Sequence, residues 1–277
     1  MTLLTSAMLS LTSFVTADAA PECETANDGR VFAAQGCEVE MKKCETTNDN
    51  RVYVGPEFMW SHFHGPVEND SFDFSLNQNV YYGGLRFGHE YLKPNAFYSN
   101  TDIVALMGTT HSTAQNNGEG TTQWHRTRQT FKGERGHLWT NVEQRLGYTF
   151  ASSLVPSCTV SLYGAPGFHY EHVNGKHAYW YYAATGLKTL QQFTDSFHLG
   201  CDVKVMYAFG AQDKGNMALP TTLGKKQFWG YEVGVPFEWK LGTEKAFDIQ
   251  LKPYLLKLNT NSQETILGAR LELGYNF

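Results

Sequence analysis

The chain has 277 residues, with 27 acidic and 22 basic side chains and a net charge of −5, and it lacks the basic clustering that a nucleic-acid partner needs. Charged residues make up 18%, below the ordinary quarter. Beyond the first residues no apolar run reaches the ~20 residues of a membrane helix, so a bilayer could be crossed only by strands, each needing about 10 residues.

Residues 1–19 read as a secretory signal. An apolar run from Met1 to Val15 is followed by the small-residue pattern Ala17-Asp18-Ala19. No Lys or Arg precedes the run, which departs from that pattern. Glu22 stands before Cys23 where a lipoprotein site needs a small residue, so lipidation is not expected. Residues 20–50 form a turn-rich, cysteine-bearing segment that export would leave in the periplasm. The phrase Cys23-Glu24-Thr25-Ala26-Asn27-Asp28-Gly29-Arg30-Val31 recurs as Cys44-Glu45-Thr46-Thr47-Asn48-Asp49-Asn50-Arg51-Val52, agreeing at seven of nine positions. Its Asn-Asp centres are turn formers.

From residue 51 the apolar period is two, the period of strands. Residues 52–62 align Val52, Val54, Phe58 and Trp60. Residues 79–91 align Tyr81, Leu85, Phe87 and Tyr91 opposite Arg86 and Glu90. Residues 96–110 align Phe97, Ile103 and Met107 away from Asp102, with Val104 and Leu106 blurring the alternation. Residues 136–151 set Leu138, Val142, Leu146, Tyr148 and Phe150 against Asn141, Glu143 and Arg145. Residues 157–170 set Val160, Leu162, Phe168 and Tyr170 against His169. Residues 177–190 set Tyr179, Tyr181 and Leu187 against Lys188. Residues 197–210 set Leu199, Val203, Val205, Tyr207 and Phe209 against His198, Asp202 and Lys204. Residues 226–241 set Trp229, Tyr231, Val233, Val235, Phe237 and Trp239 against Glu232, Glu238 and Lys240. Residues 245–258 set Phe247, Ile249, Leu251 and Leu255 against Asp248, Gln250 and Lys252.

The last segment, 264–277, sets Leu271, Leu273, Tyr275 and Phe277 against Arg270, Glu272 and Asn276. It resembles the closing strand of bacterial outer-membrane β-barrels, which ends in phenylalanine after alternating apolar residues. The resemblance implies an all-β, up-and-down antiparallel transmembrane barrel over 51–277, located in the bacterial outer membrane. It also implies that Leu271, Leu273, Tyr275 and Phe277 are the signal read by the barrel-assembly machinery. About ten strands are expected, or twelve if Thr121–Phe131 adds a pair. Short segments after Tyr91, Phe150, Leu190 and Leu241 are expected to be periplasmic turns. Segments 63–78, 111–135, 171–176, 211–225 and 259–263 are expected to be outer loops. Pro56, Pro166, Pro236 and Pro253 fall inside strands, and some of them should mark bulges or strand ends, since proline lacks a ladder N–H.

Sidedness follows from energy. A lipid-facing Arg near the midplane costs ~2–4 kcal/mol, so the charged faces should point into the lumen. This gathers Arg86, Glu90, Glu143, Arg145, Asp202, Lys204, Glu232, Glu238, Lys240, Arg270 and Glu272 as lumen charges. They form either a selectivity constriction or an ion-pair network filling a narrow barrel, and small barrels favour filling.

Other clusters point less sharply. His169, Glu171, His172 and His177 surround one expected outer loop, but His169 and His172 would face opposite sides of a strand, so no metal is expected. His62 and His64 share a face at a strand end, at headgroup level. His125, Arg126, Arg128, Lys132 and Arg135 make a basic stretch that reads as a solvated loop, with lipid phosphate and the pore mouth as alternative contacts. No nucleophile phrase or carboxylate pair of an outer-membrane enzyme is present, so neither an enzyme nor a cofactor is expected.

The five cysteines, Cys23, Cys37, Cys44, Cys158 and Cys201, all map to the periplasmic side, and their odd number leaves one thiol free or joined to another molecule. This habit is similar to that of chlamydia-type major outer-membrane proteins, whose envelopes are cross-linked by disulfides. That resemblance implies a disulfide-linked structural barrel, bonded to itself or to an envelope partner and carrying at most a narrow pore. A diffusive porin and a surface adhesin acting through its outer loops are the alternatives. Open porins use 16–18 strands, more than this chain can supply.

Overall fold

The computed structural model describes residues 50–69, 72–116, 129–131, 136–151, 158–173, 176–214, 227–242, 245–259 and 263–277. Their strands are β1 (Asn50–Asn69), β2 (Phe72–Tyr91), β3 (Ala96–Asn116), β4 (Gln129–Phe131), β5 (Gly136–Ala151), β6 (Cys158–Val173), β7 (Lys176–Gln192), β8 (Phe197–Lys214), β9 (Phe228–Gly234), β10 (Phe237–Leu241), β11 (Phe247–Asn259) and β12 (Gln263–Asn276). All pairings are antiparallel, and β12 lies against β1 with Val52 opposite Tyr275 and Ser61 opposite Ile266. The sheet is thereby closed, which leaves no unpaired sheet edge among the described staves. β9 and β10 are two halves of one stave between β8 and β11, so the barrel has ten staves.

The short β4 pairs only with Ser112–Ala114 of β3 and adds no stave. The barrel thus has the ten strands expected, and the alternative of twelve is not realised among the described residues. The rest of Thr121–Phe131 lies outside the described residues, as does everything before Asn50.

Proline opens the ladder on one side at a time. Pro56 sits opposite Leu85 of β2, while toward β12 the register omits Gly55 and Pro56. Pro166 sits opposite Ala183 of β7, while toward β5 the register omits Ala165 and Pro166. Pro236 separates β9 from β10. Backbone bonds still bridge that gap, from Gly200 N–H to the Pro236 carbonyl at 2.9 Å and from Val235 N–H to the Pro253 carbonyl at 3.0 Å. β8 carries an extra residue opposite Tyr179–Tyr181, where Gly210 takes the left-handed φ of 64°. A glycine accommodates that bulge without steric cost.

Several expected outer loops are corrected to strand. β1 and β2 occupy all of 63–78 except 70–71, β3 runs on through 111–116, β6 reaches Val173 and β8 reaches Lys214. These extensions rise past the ~10 residues that hydrocarbon requires. On these extensions the sequence loses its period of two while backbone pairing continues. The opposite end carries the short connections at 92–95 and 193–196, and we call it the turn end.

Side-chain alternation sets the two surfaces. Phe58, Leu85, Phe97, Met107, Leu146, Leu162, Tyr181, Trp229, Leu251 and Leu273 face outward, with Met107 75% and Phe58 63% exposed. Val104 and Leu106, the residues that blur the third segment, are fully buried inside, while Ile103 and Met107 lie on the opposite face. The interior has two zones. Met59, Val80, Tyr82, Val104, Leu106, Trp180, Met206, Leu256 and Ile266 belong to one apolar cluster. Most of the buried charged residues occupy the remainder, toward the turn end, while Glu171 and Glu264 lie beside the apolar cluster.

Candidate functional site

Ten of the eleven expected lumen charges are buried inside the barrel: Arg86, Glu90, Glu143, Arg145, Asp202, Lys204, Glu232, Glu238, Arg270 and Glu272. Lys240 shares the inward face of β10 with Glu238 but lies nearer its end. It is only half-buried at the turn end, in register with Asp248, because the short β10 brings it to the rim.

The central charges form one connected network. Glu57 accepts from Arg86 at 2.8 Å and from Arg270 at 3.2 Å. Arg86 reaches Asp102 at 2.8 Å, and Arg270 reaches Glu232 at 3.1 Å. Lys204 bridges Glu232 at 3.0 Å and Glu143 at 2.6 Å. Arg145 bridges Glu143 at 2.7 Å and Asp202 at 2.8 Å, and Lys252 joins Asp202 back to Glu232. Five carboxylates (Glu57, Asp102, Glu143, Asp202, Glu232) thus meet five cations (Arg86, Arg145, Lys204, Lys252, Arg270), so the network is neutral. Neutrality matters because an unpaired buried charge costs several kcal/mol.

Three units within it share one construction. Tyr254 faces Gly268 across the β11–β12 ladder, carries the Arg270 guanidinium 4.1 Å above its ring, and donates to Glu57 at 2.6 Å. Tyr163 repeats this with Gly186, Arg145 and Asp202, and Tyr182 with Gly167, Lys204 and Glu143. In each unit the glycine leaves room for the ring, the ring supports the cation, and cation and phenol share the same carboxylate. A Cβ at Gly167 would lie 2.1 Å from the Tyr182 ring.

Toward the turn end lies a second, more acidic group. Arg51 pairs with Asp248 at 2.7 Å and Glu272 at 3.0 Å, Lys188 pairs with Glu90, and His198 lies 3.5 Å from Glu238. Arg51, Glu57, Asp102, Lys188, Asp248 and Lys252 extend the expected set. The sequence carried a signal for them, since each stands opposite an outward apolar row at alternating spacing. The lumen tyrosines carried none, because an aromatic reads as outward-facing wherever lipid is anticipated.

A cavity of ≈ 50 Å³ lies between the neutral network and Trp139, His169, Trp180 and Glu264. It has room for a few waters.

The histidines divide across the wall. His169 points inward, buried, stacked on Trp180 at 3.8 Å and edge-on to Trp139 at 4.6 Å. Glu171 is also buried inside. His172 and His177 stack at 4.7 Å on the outer surface, where Tyr170 bonds His177 Nδ1 at 2.6 Å. Among the described residues no group of three or more His, Cys, Asp or Glu side chains is arranged to hold a metal ion. His62 stacks on Trp60 at 5.7 Å and bonds Asn79 at 2.9 Å, on the outer face. The side chain of His64 and the basic residues His125, Arg126, Arg128, Lys132 and Arg135 lie outside the described residues.

Cys158 opens β6 and Cys201 lies five residues into β8, both near the turn end and half-buried. Both face outward with β7 between them, registered at Gln191 and Thr189. Two strand spacings of about 4.8 Å and a two-residue offset separate their Cα atoms by roughly 12 Å. A disulfide spans at most about 7 Å, so these two thiols do not pair with each other. Cys23, Cys37 and Cys44 lie outside the described residues. Leu271, Leu273, Tyr275 and Phe277 form an outward row on β12.

No protein-family model and no curated protein matches the sequence. Among solved structures, the chain is similar to the beta domain of the Bordetella autotransporter BrkA (9% identity, TM-score 0.41, 83% of this chain and 100% of that one). It is also similar to an outer-membrane channel from Pseudomonas putida F1 (10% identity, TM-score 0.40, 82% and 95%). A third similarity is to the translocator domain of autotransporter NalP from Neisseria meningitidis (11% identity, TM-score 0.37, 83% and 88%).

Proposed function

We propose that this chain is an outer-membrane β-barrel with a structural role in the bacterial envelope, sealed at rest by its own side chains. Its outward apolar rows are solvated by outer-membrane lipid, and its turn end faces the periplasm. The observation that carries the reading is the neutral five-by-five ion-pair network across the lumen. An aqueous pore would leave such charges hydrated and mobile, whereas here they are bonded to one another and propped by tyrosines.

The row Leu271, Leu273, Tyr275 and Phe277 is the surface offered to the barrel-assembly machinery. Cys158 and Cys201 pair on the periplasmic side with cysteines elsewhere, in the segment 20–50 or on an envelope neighbour, because they cannot reach each other. No catalytic reaction and no cofactor enters this reading.

Solute flux into liposomes carrying the purified barrel tests it. Silence toward small sugars is expected. Rapid, size-limited uptake would support the diffusive porin instead.

A further inference from the structure

The neutral network accounts for the central charges but leaves the far end of the lumen unbalanced. There Glu264, 3% exposed, accepts from Ser61 Oγ at 2.6 Å through one oxygen. Its other oxygen, Oε2, is buried and has no hydrogen-bond partner among the described residues. Nε2 of His169, 1% exposed, is likewise buried and unpartnered. Both side chains line the ≈ 50 Å³ cavity, whose walls include the indoles of Trp139 and Trp180. Glu171 stands close by, with Tyr82 donating to it at 3.3 Å. Buried polar atoms are almost always satisfied, so two of them on one cavity point to an occupant.

The wall chemistry selects the occupant. A carboxylate oxygen accepts a hydrogen bond and favours positive charge. Indole faces attract cations and tolerate methyl groups, which a strongly hydrated metal ion does not exploit. At ~10–15 Å³ per water-sized unit the cavity takes about four non-hydrogen atoms. We infer that the far-end chamber of the lumen is a binding site for a small organic cation, an alkylammonium whose N–H donates to Glu264 Oε2 while its methyl groups lie against Trp139 and Trp180.

Calorimetric titration of the intact chain in detergent, with trimethylammonium chloride as the probe, tests this. Saturable one-to-one binding is expected. Glu264→Gln, which keeps the shape and the Ser61 contact, should weaken it at least about tenfold. Heat-modifiable mobility shows whether that variant is folded. Three results would overturn the inference: no binding to the wild type, equal binding of the neutral tert-butanol, or displacement by equimolar sodium chloride. The first would leave ordered water as the occupant, the second an apolar void, and the third a plain counter-ion. None of these depends on whether the barrel conducts, so this site and the sealed-lumen reading fail separately.

Discussion

The ring of Tyr254 lies across Gly268, so closely that a Cβ on the glycine would stand 2.2 Å from the ring carbon bearing the hydroxyl. The contact fixes where the phenol reaches Glu57, and through Glu57 where Arg86 and Arg270 sit. Gly268→Ala should therefore displace the ring and loosen the network rather than merely fill space. A loss of about 1–3 kcal/mol is expected for this overpacking. The temperature at which the folded, fast-migrating band disappears on electrophoresis measures it, and an unchanged temperature would show that the ring moves aside freely.

Glu232 is the junction of the network, contacting Arg270, Lys204 and Lys252. Glu232→Ala leaves those cations facing one fewer carboxylate in a buried setting. A destabilisation of ~3–5 kcal/mol is expected, as for other broken buried pairs. Urea midpoints of refolding into detergent micelles would report it. A change below ~1 kcal/mol would mean that water already hydrates the lumen.

Leu146 and Arg145 are neighbours in β5 on opposite faces of the wall. Leu146→Arg should cost about 2–4 kcal/mol through lipid exposure of the charge. Reduced yield of heat-modifiable protein in membrane fractions checks it. Wild-type yield would mean that this face does not meet acyl chains.

Cys158 and Cys201 stay unjoined to each other across β7. With Cys23, Cys37 and Cys44 all replaced by Ser, the reduced and reoxidised barrel should still react with two equivalents of a thiol reagent per chain. A monomer that reacts with none would mean that the two have bonded and that β7 does not separate them.

On the proposed outer-membrane reading, the fold was legible because lipid imposes its demand from outside. Each outward row, such as Leu271, Leu273 and Tyr275, had to be apolar over a full membrane crossing, and a period of two is the trace of that demand. The site was legible only in part. Arg86, Glu143 and Arg270 stood out as charges opposite such rows. Met59, Val104 and Trp180 did not, because this lumen holds an apolar zone of its own, and there both faces of a strand are apolar. Strand ends were hidden because β1, β2 and β3 pair onward through their backbones where the sequence has lost its period.

Single-channel recording in planar bilayers tests the sealed lumen most directly, with the wild type beside an Arg86→Ala, Arg270→Ala double variant. The wild type should show no steady current, and the variant, if folded, should open small conducting events where the two guanidinium groups have been removed. Steady ohmic steps from the wild type, unchanged in the variant, would contradict a barrel closed by its own ion pairs.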